Sequence, residues 1–239
     1  MFKKKEKSNA SNNKIITLTN SNSQFNYSEV YRQIKTSIDY SNISKGTKVI
    51  NITSTMPGEG KTTTALNLAV TYAGFYENVL LIDCDFRKPQ IHKYFKLSNK
   101  EGLSTLLLEY SQSGKINTNY FKNIKHSSFK NKLTVLPTGT KVPNPTDLLS
   151  SDTFKNFLEE QKKNFDFIIL DCPPIGAVSD AIPVGNIVDG TVFVCSSAKT
   201  SRKEAHSAVD RLKASGCNII GAILTQADEK QSGHYGYYY

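Results

Sequence analysis

Short apolar runs alternate with longer segments of helical periodicity over most of the chain. Continuous apolar runs are typical of strands buried on both faces of a sheet, and they occur at residues 49–53, 79–82, 133–136, 165–170, 192–194 and 219–224. Apolar residues three or four positions apart predict amphipathic helices at 27–40, 61–75, 146–158 and 202–215. The weakly patterned stretch 86–132 predicts only short helices. This alternation predicts a single-domain α/β fold, a parallel sheet with helices on both faces.

The two ends of the chain differ in composition from the middle. Residues 1–25 are rich in Lys, Asn and Ser, which predicts a flexible basic arm. Residues 26–227 contain all the predicted elements, so we expect the folded domain there. Residues 228–239 are polar and punctuated by glycine, which predicts a flexible tail. The tail contains four of the chain's twelve tyrosines, Tyr235, Tyr237, Tyr238 and Tyr239.

Charge and cysteine content exclude several classes of protein. The formal net charge of +9 over 239 residues suggests binding to nucleic acid or to a membrane surface. Five lysines and one glutamate before residue 20 supply four of those charges, and no zinc-finger or helix-turn-helix pattern is found. We therefore expect no nucleic-acid partner and favour an arm that contacts anionic lipid or an acidic protein. The chain lacks an apolar run of the roughly 20 residues that span a membrane, and it starts without a signal-peptide core.

The four cysteines lie in or beside apolar runs and have no C-x-x-C spacing, which predicts core thiols of a reduced, cytoplasmic protein. They are Cys84, Cys172, Cys195 and Cys217.

The strongest chemical signal is a glycine-containing loop between the first predicted strand and the helix that follows it. Gly58 and Gly60 lack a Cβ, so the backbone can turn its N–H groups toward phosphate oxygens. Lys61 can reach the β- and γ-phosphates, and the Thr62 hydroxyl can ligate Mg²⁺. Thr55 stands where the strict phosphate-loop pattern has glycine, so this is a variant loop in a P-loop NTPase-like fold. The expected nucleotide-binding residues are Pro57, Gly58, Glu59, Gly60, Lys61, Thr62 and Thr63.

Carboxylates follow two other apolar runs directly. Asp83 and Asp85 end the second predicted strand, and Asp171 ends the strand at 165–170. Ligands of open α/β sheets bind beyond the carboxyl ends of the strands, so these groups are expected beside the phosphate loop. We expect Thr62 and Asp85 to bind Mg²⁺ directly and Asp171 to act through water. Either Asp83 or Asp85 would accept a proton from the phosphoryl acceptor.

These motifs together resemble the bacterial tyrosine kinases of capsule and exopolysaccharide synthesis. A Pro-Gly-x-Gly-Lys loop and an apolar run followed by Asp-x-Asp-x-Arg are typical of that family, as are Leu-Pro-x-Gly and Pro-Asn-Pro segments. The matching segments are 57–62, 80–87, 136–139, 143–149 and the acidic strand end 168–171.

The resemblance implies an ATP- and Mg²⁺-dependent protein-tyrosine kinase with Lys61, Asp83 and Asp85 as catalytic residues. It implies autophosphorylation in trans on the tail tyrosines, Tyr235, Tyr237, Tyr238 and Tyr239. It also implies a cytoplasmic protein recruited to the inner face of the membrane by an adaptor that activates it. The resemblance further implies that a cognate tyrosine phosphatase acts on this protein and that the kinase controls polysaccharide synthesis and export.

Two further roles follow from the same resemblance. The family forms a ring, such as an octamer, through a Glu-x-x-Arg-x-x-Arg helix. Glu29 and Arg32 match that motif, and Lys35 replaces its second Arg. Adenine would contact Gln226, after the last predicted strand.

Two other functions remain open at this point. One is an ATPase similar to the ParA and MinD group, whose signature Lys would stand at Met56. The other is a nucleotide-dependent oligomeric scaffold for polysaccharide assembly.

Overall fold

A seven-stranded sheet forms the centre of the protein in the computed structural model, which describes residues 27–41, 46–125 and 131–227. The predicted basic arm and the tyrosine tail lie outside the described residues. The strands are β1 (Val49–Ser54), β2 (Asn78–Asp83), β3 (Lys122–Ile124), β4 (Lys132–Leu136), β5 (Phe167–Asp171), β6 (Gly190–Ser196) and β7 (Ile219–Thr225). They follow the order β3-β4-β2-β5-β1-β6-β7.

All neighbouring strands are parallel except β3 and β4, so the predicted parallel α/β sheet is confirmed with one exception at its edge. Strand β3 is antiparallel and only three residues long, and it lies in the stretch where only short helices were predicted. Its sequence, Lys-Asn-Ile, has too little apolar pattern to indicate a strand, and its pairing comes from the neighbouring β4.

The helices cover both faces of the sheet. They are α1 (Tyr27–Tyr40), α2 (Lys61–Ala73), α3 (Ile91–Tyr94), α4 (Leu103–Ser113), α5 (Pro145–Ser150), α6 (Asp152–Asn164), α7 (Ala181–Gly185) and α8 (Arg202–Ala214). Helices α1 and α2 pack on one face, and α4 and α6 pack on the other. The described helices include none that is long and apolar enough to cross a membrane.

The single helix predicted over 146–158 is wrong, because the structure has two helices there. Ser151 is extended between α5 and α6, with φ −72° and ψ 149°. Its hydroxyl oxygen accepts a hydrogen bond from the Phe154 N–H at 3.2 Å. A serine that caps the start of a helix favours ending the preceding helix at that point. The spacing of apolar residues contains no signal for such a cap, so it predicted one continuous helix.

Most of the cysteines lie in the core, and the strand register brings the predicted site residues together. Cys84, Cys172 and Cys217 are buried free thiols, as predicted, and Cys195 is half-buried. Asp83 of β2 lies opposite Asp171 of β5 in the parallel register. Strand β1 adjoins β5, so the loop after β1 and both acidic strand ends lie at the same carboxyl edge of the sheet.

Candidate active site

The loop after β1 turns into α2 through two glycines with left-handed backbone conformations. Gly58 has φ 84° and Gly60 has φ 95°, values that residues with a Cβ rarely adopt. Gly60 is the N-terminal cap of α2, and no side-chain cap satisfies the first N–H groups of the helix. Those N–H groups and the positive end of the helix dipole are suited to phosphate oxygens.

The buried carboxylate of Glu59 stabilises this loop by accepting two hydrogen bonds. It is fully buried, and its Oε2 accepts a hydrogen bond from the Met56 N–H at 2.9 Å. Its Oε1 accepts a hydrogen bond from the Thr200 hydroxyl. The side chain therefore points away from the cavity, and any contact from Glu59 to a nucleotide would come from its backbone.

Residues at the end of β7 and after β6 and β7 donate hydrogen bonds to carbonyl oxygens of this loop. Lys199 Nζ and Gln226 Nε2 both donate to the Gly58 carbonyl oxygen, at 3.2 and 3.0 Å. The Thr225 hydroxyl donates to the Glu59 carbonyl oxygen. Sequence reasoning missed Lys199 and Thr200, which lie 141 residues from their loop partners. No local motif indicated these contacts.

Lys61 lies between two of the predicted carboxylates. Its Nζ is 2.9 Å from Asp85 Oδ2 and 3.4 Å from Asp171 Oδ1, and it donates to the Thr62 Oγ1 at 3.2 Å. Burial acts to lower the pKa of Lys61, but Asp171 and Asp85 outweigh it, so the pKa is raised above its usual range. The ammonium is therefore a permanent cation at the start of α2.

Asp83 and Asp85 have different environments in the structure. Asp83 is fully buried, and its two carboxylate oxygens accept hydrogen bonds from the backbone N–H groups of Asp85, Gln90 and Ile91 at 3.1–3.2 Å. Burial, together with Asp171, raises the pKa of Asp83. Asp85 instead lines the cavity, with Oδ2 beside Lys61. Its Oδ1 accepts from the Lys88 N–H at 2.9 Å.

Asp171 has the oxygen best suited to a cation. Its Oδ2 is buried and has no hydrogen-bond partner among the described residues, whereas its Oδ1 faces Lys61. Carboxylate and hydroxyl oxygens are ligands that Mg²⁺ prefers, so Asp171, Asp85 and Thr62 fit this ion. In the part of the chain that the structure describes, no three His, Cys, Asp or Glu side chains could hold a metal together.

A cavity of 420 Å³ opens beside these groups. The predicted site residues that line it are Pro57, Gly58, Gly60, Lys61, Thr62, Thr63, Asp85 and Gln226. Three others, Glu59, Asp83 and Asp171, are buried and are not among the residues that line it. The rest of the lining, for which the sequence motifs predicted no role, consists of Arg87, Lys88, Gln90, Tyr94, Pro173, Pro174, Ala177 and Val178.

The predicted ring helix is α1, and its three motif residues differ in environment. Arg32 Nη1 lies 3.5 Å from Glu29 Oε2, and both side chains are more than half exposed. Lys35 Nζ lies 2.5 Å from Asp39 Oδ2, and only 12% of its side chain is exposed. Its ammonium also lies 4.7–5.2 Å from the ring centres of Tyr72, Phe75 and Tyr76. Lys35 therefore makes its contacts within the protomer, and a ring through this helix stays a prediction.

The sheet order, the loop and the carboxylates behind it define a P-loop nucleotide-binding protein. Residues 47–182 match the family model of the AAA domain. The chain is 41% identical over 211 residues to tyrosine-protein kinase YwqD of Bacillus subtilis, which covers 88% of this chain and 86% of the relative. It is 35% identical over 213 residues to tyrosine-protein kinase CpsD of Streptococcus agalactiae, and that alignment covers 88% of this chain and 89% of the relative.

A solved structure, the chimerical protein CapA2B2, is similar at a TM-score of 0.77 and 32% identity, with 89% of each chain covered. A ParA-family ATPase from Chlorobium tepidum, at 16% identity and a TM-score of 0.59 over 77% of this chain and 76% of that one, shares the fold alone. The chain therefore belongs to the bacterial tyrosine-protein kinases, and it is an enzyme that phosphorylates tyrosine in proteins.

Proposed function

We propose that this kinase binds ATP with Mg²⁺ in the cavity and transfers the terminal phosphoryl group to tyrosines of its own C-terminal tail. The observation that carries the proposal is the position of Lys61, held 2.9 Å from Asp85 at the start of α2. A fixed cation there neutralises charge on the β- and γ-phosphates without reorganising during the reaction. Thr62, Asp85 and Asp171 would hold Mg²⁺, which would supply positive charge that stabilises the transferred phosphoryl group.

We assign proton acceptance from the tyrosine to Asp85. Its carboxylate lines the cavity, whereas both oxygens of Asp83 accept backbone hydrogen bonds. Asp83 would then act by holding the backbone of Asp85 in place. The Thr62 hydroxyl and Asp85 offer oxygens to the metal, and Asp171 supports both the metal and Lys61. A tyrosine hydroxyl has a pKa near 10, so a carboxylate within reach aids its attack.

The last described residues before the tail lie at this cavity, since Gln226 is part of its lining. Strand β7 ends at Thr225, and Gln226 donates to the phosphate loop. Residues 228–239 follow, and twelve residues span at most about 40 Å when extended. Delivery of the tyrosines to the cavity of a neighbouring subunit is part of this proposal because the family resemblance implies it. The proposed acceptors are Tyr235, Tyr237, Tyr238 and Tyr239.

We extend the proposal to the cellular setting that the family resemblance implies. The kinase would act at the inner face of the membrane with an adaptor, assemble as a ring through Glu29 and Arg32, and be reversed by a tyrosine phosphatase. Its output would be control of capsular or exopolysaccharide synthesis and export. The similarity to a chimerical protein named CapA2B2 supports the search for such an adaptor. Gln226 would contact adenine, since it lines the cavity.

The test is to incubate the full chain with Mg·ATP and map phosphate by mass spectrometry. We expect phosphotyrosine on the tail in the wild type and in Lys203→Met, an exposed lysine of α8 that serves as the matched control. Lys61→Met should lose it. Phosphotyrosine confined to other positions would refute the tail as acceptor. Release of inorganic phosphate without any phosphotyrosine would favour an ATPase instead, and assembly without either product would favour a scaffold.

A further inference from the structure

Arg87 is held at the cavity by a carboxylate that is itself removed from solvent. The Arg87 side chain is 46% exposed and lines the cavity, whereas Asp180 has no exposed side-chain surface. Arg87 Nε donates to Asp180 Oδ2 at 2.7 Å, and Nη2 donates to Oδ1 at 3.1 Å. Two parallel bonds fix the plane of the guanidinium as well as its position.

The same carboxylate joins three segments at the carboxyl edge of the sheet. Arg87 lies after β2, and Asp180 lies between β5 and α7. Thr146 is the second residue of α5, which follows β4. The Thr146 hydroxyl donates to Asp180 Oδ1, so this oxygen accepts two hydrogen bonds. A buried carboxylate is costly unless it is fully paired, and this one is paired only because Arg87 and Thr146 converge on it.

The two hydrogen bonds to Asp180 leave other N–H donors of the Arg87 guanidinium free to bind a ligand. Arginine has five N–H donors, and the bonds to Asp180 engage two of them. The exposed Lys88 lines the cavity next to Arg87, so this wall carries two cations. An oriented guanidinium with unused donors in a phosphate-loop cavity is suited to a phosphate oxyanion.

We propose that Arg87 contacts a phosphate oxyanion in the cavity, and that Asp180 and Thr146 are the positioning residues that orient it. Two sources of that oxyanion share the same chemistry. One is the terminal phosphate of the nucleotide. The other is a phosphotyrosine already present on the incoming tail, a source that rests on the tail phosphorylation proposed above. In the second case, one modified tyrosine would favour modification of its neighbours.

The experiment uses the full chain and the variants Asp180→Asn, Arg87→Lys and Thr146→Val. Arg202→Lys, at an exposed arginine outside the cavity, is the matched control. Calorimetry gives the affinities for Mg·ATP and Mg·ADP. Kinase assays give kcat and KM for two synthetic peptides of residues 228–239, one unmodified and one with a single phosphotyrosine.

If the oxyanion is the nucleotide's, Asp180→Asn and Arg87→Lys should weaken ATP relative to ADP by about 10- to 100-fold, the value of a charge-assisted contact. If it is the tail's, both variants should raise KM for the phosphopeptide relative to the unmodified peptide by a similar factor, with kcat little changed. Because Asp180 acts through Arg87, combining the two substitutions should lose little beyond Arg87→Lys alone.

The proposal is overturned if neither ratio differs more than twofold from that of Arg202→Lys, even if overall activity falls. If Asp180→Asn does not fold, Arg87→Lys still decides, because it leaves the buried carboxylate and a cation beside it in place. If the wild type phosphorylates neither peptide, the tail proposal fails, and the ATP-to-ADP ratio still tests Arg87.

Discussion

Replacing Lys35 by methionine separates a structural role of this residue from a role between subunits. Methionine keeps an unbranched apolar chain, so it fills most of the space of a lysine that is only 12% exposed. It removes the ion pair with Asp39 at 2.5 Å and the cation–π contacts with three rings at 4.7–5.2 Å. The Asp39 carboxylate would keep one partner, the Tyr72 hydroxyl that donates to Oδ1 at 2.9 Å.

The expected loss follows from those contacts. A hydrogen bond to a charged group contributes about 1.5–3 kcal/mol, and cation–π contacts at partly desolvated sites contribute about 1–2 kcal/mol. These contributions overlap, since one ammonium makes them all, and methionine recovers part of the packing. We expect a loss of about 2–3 kcal/mol in the free energy of unfolding, which lowers Tm by about 4–12 °C for a chain of this size.

The assay is urea unfolding followed by circular dichroism, with Arg32→Met as the matched control on the same helix. Arg32 forms an exposed pair at 3.5 Å, so its loss should cost about 0.5 kcal/mol or less. Lys35→Arg, which keeps the charge, should stay nearer the wild type than Lys35→Met. A Lys35→Met protein within 0.5 kcal/mol of the wild type would refute the reasoning, and light scattering would show whether Lys35 contributes to assembly instead.

Three further predictions concern the site. Gly60→Ala should lower the free energy of unfolding by about 1–2 kcal/mol in urea unfolding, because alanine at φ 95° is strained and its Cβ would lie 3.4 Å from Thr225 Cγ2; an unchanged stability would contradict this. Asp171→Asn should lower kcat by about 10²–10³-fold in a kinase assay while circular dichroism stays native, since Lys61 loses a charged partner, and an unchanged kcat would exclude this role. The thiols of Cys84 and Cys172, both fully buried, should resist a thiol reagent until urea unfolds the chain; rapid labelling in the native state would show that this region opens.

Local chemistry made the centre of the site predictable. The phosphate loop needs glycines, a lysine and a hydroxyl within a few residues between a strand and a helix, and residues 57–63 satisfy that need contiguously. Asp83 and Asp171 each directly follow a continuous apolar run, Asp85 lies two residues beyond Asp83, and strand ends of a parallel sheet share one edge. The fold class followed from the same alternation of runs.

The sequence alone therefore predicts which residue types meet at the carboxyl edge of the sheet. The direction in which each side chain faces depends on the folded structure: Asp85 lines the cavity, whereas Asp83 and Glu59 accept hydrogen bonds from backbone N–H groups. The folded structure also decided the contact of Arg87 with Asp180, 93 residues away. Such contacts depend on how loops from different strands are placed in space, and the periodicity of any one segment contains no information about that placement.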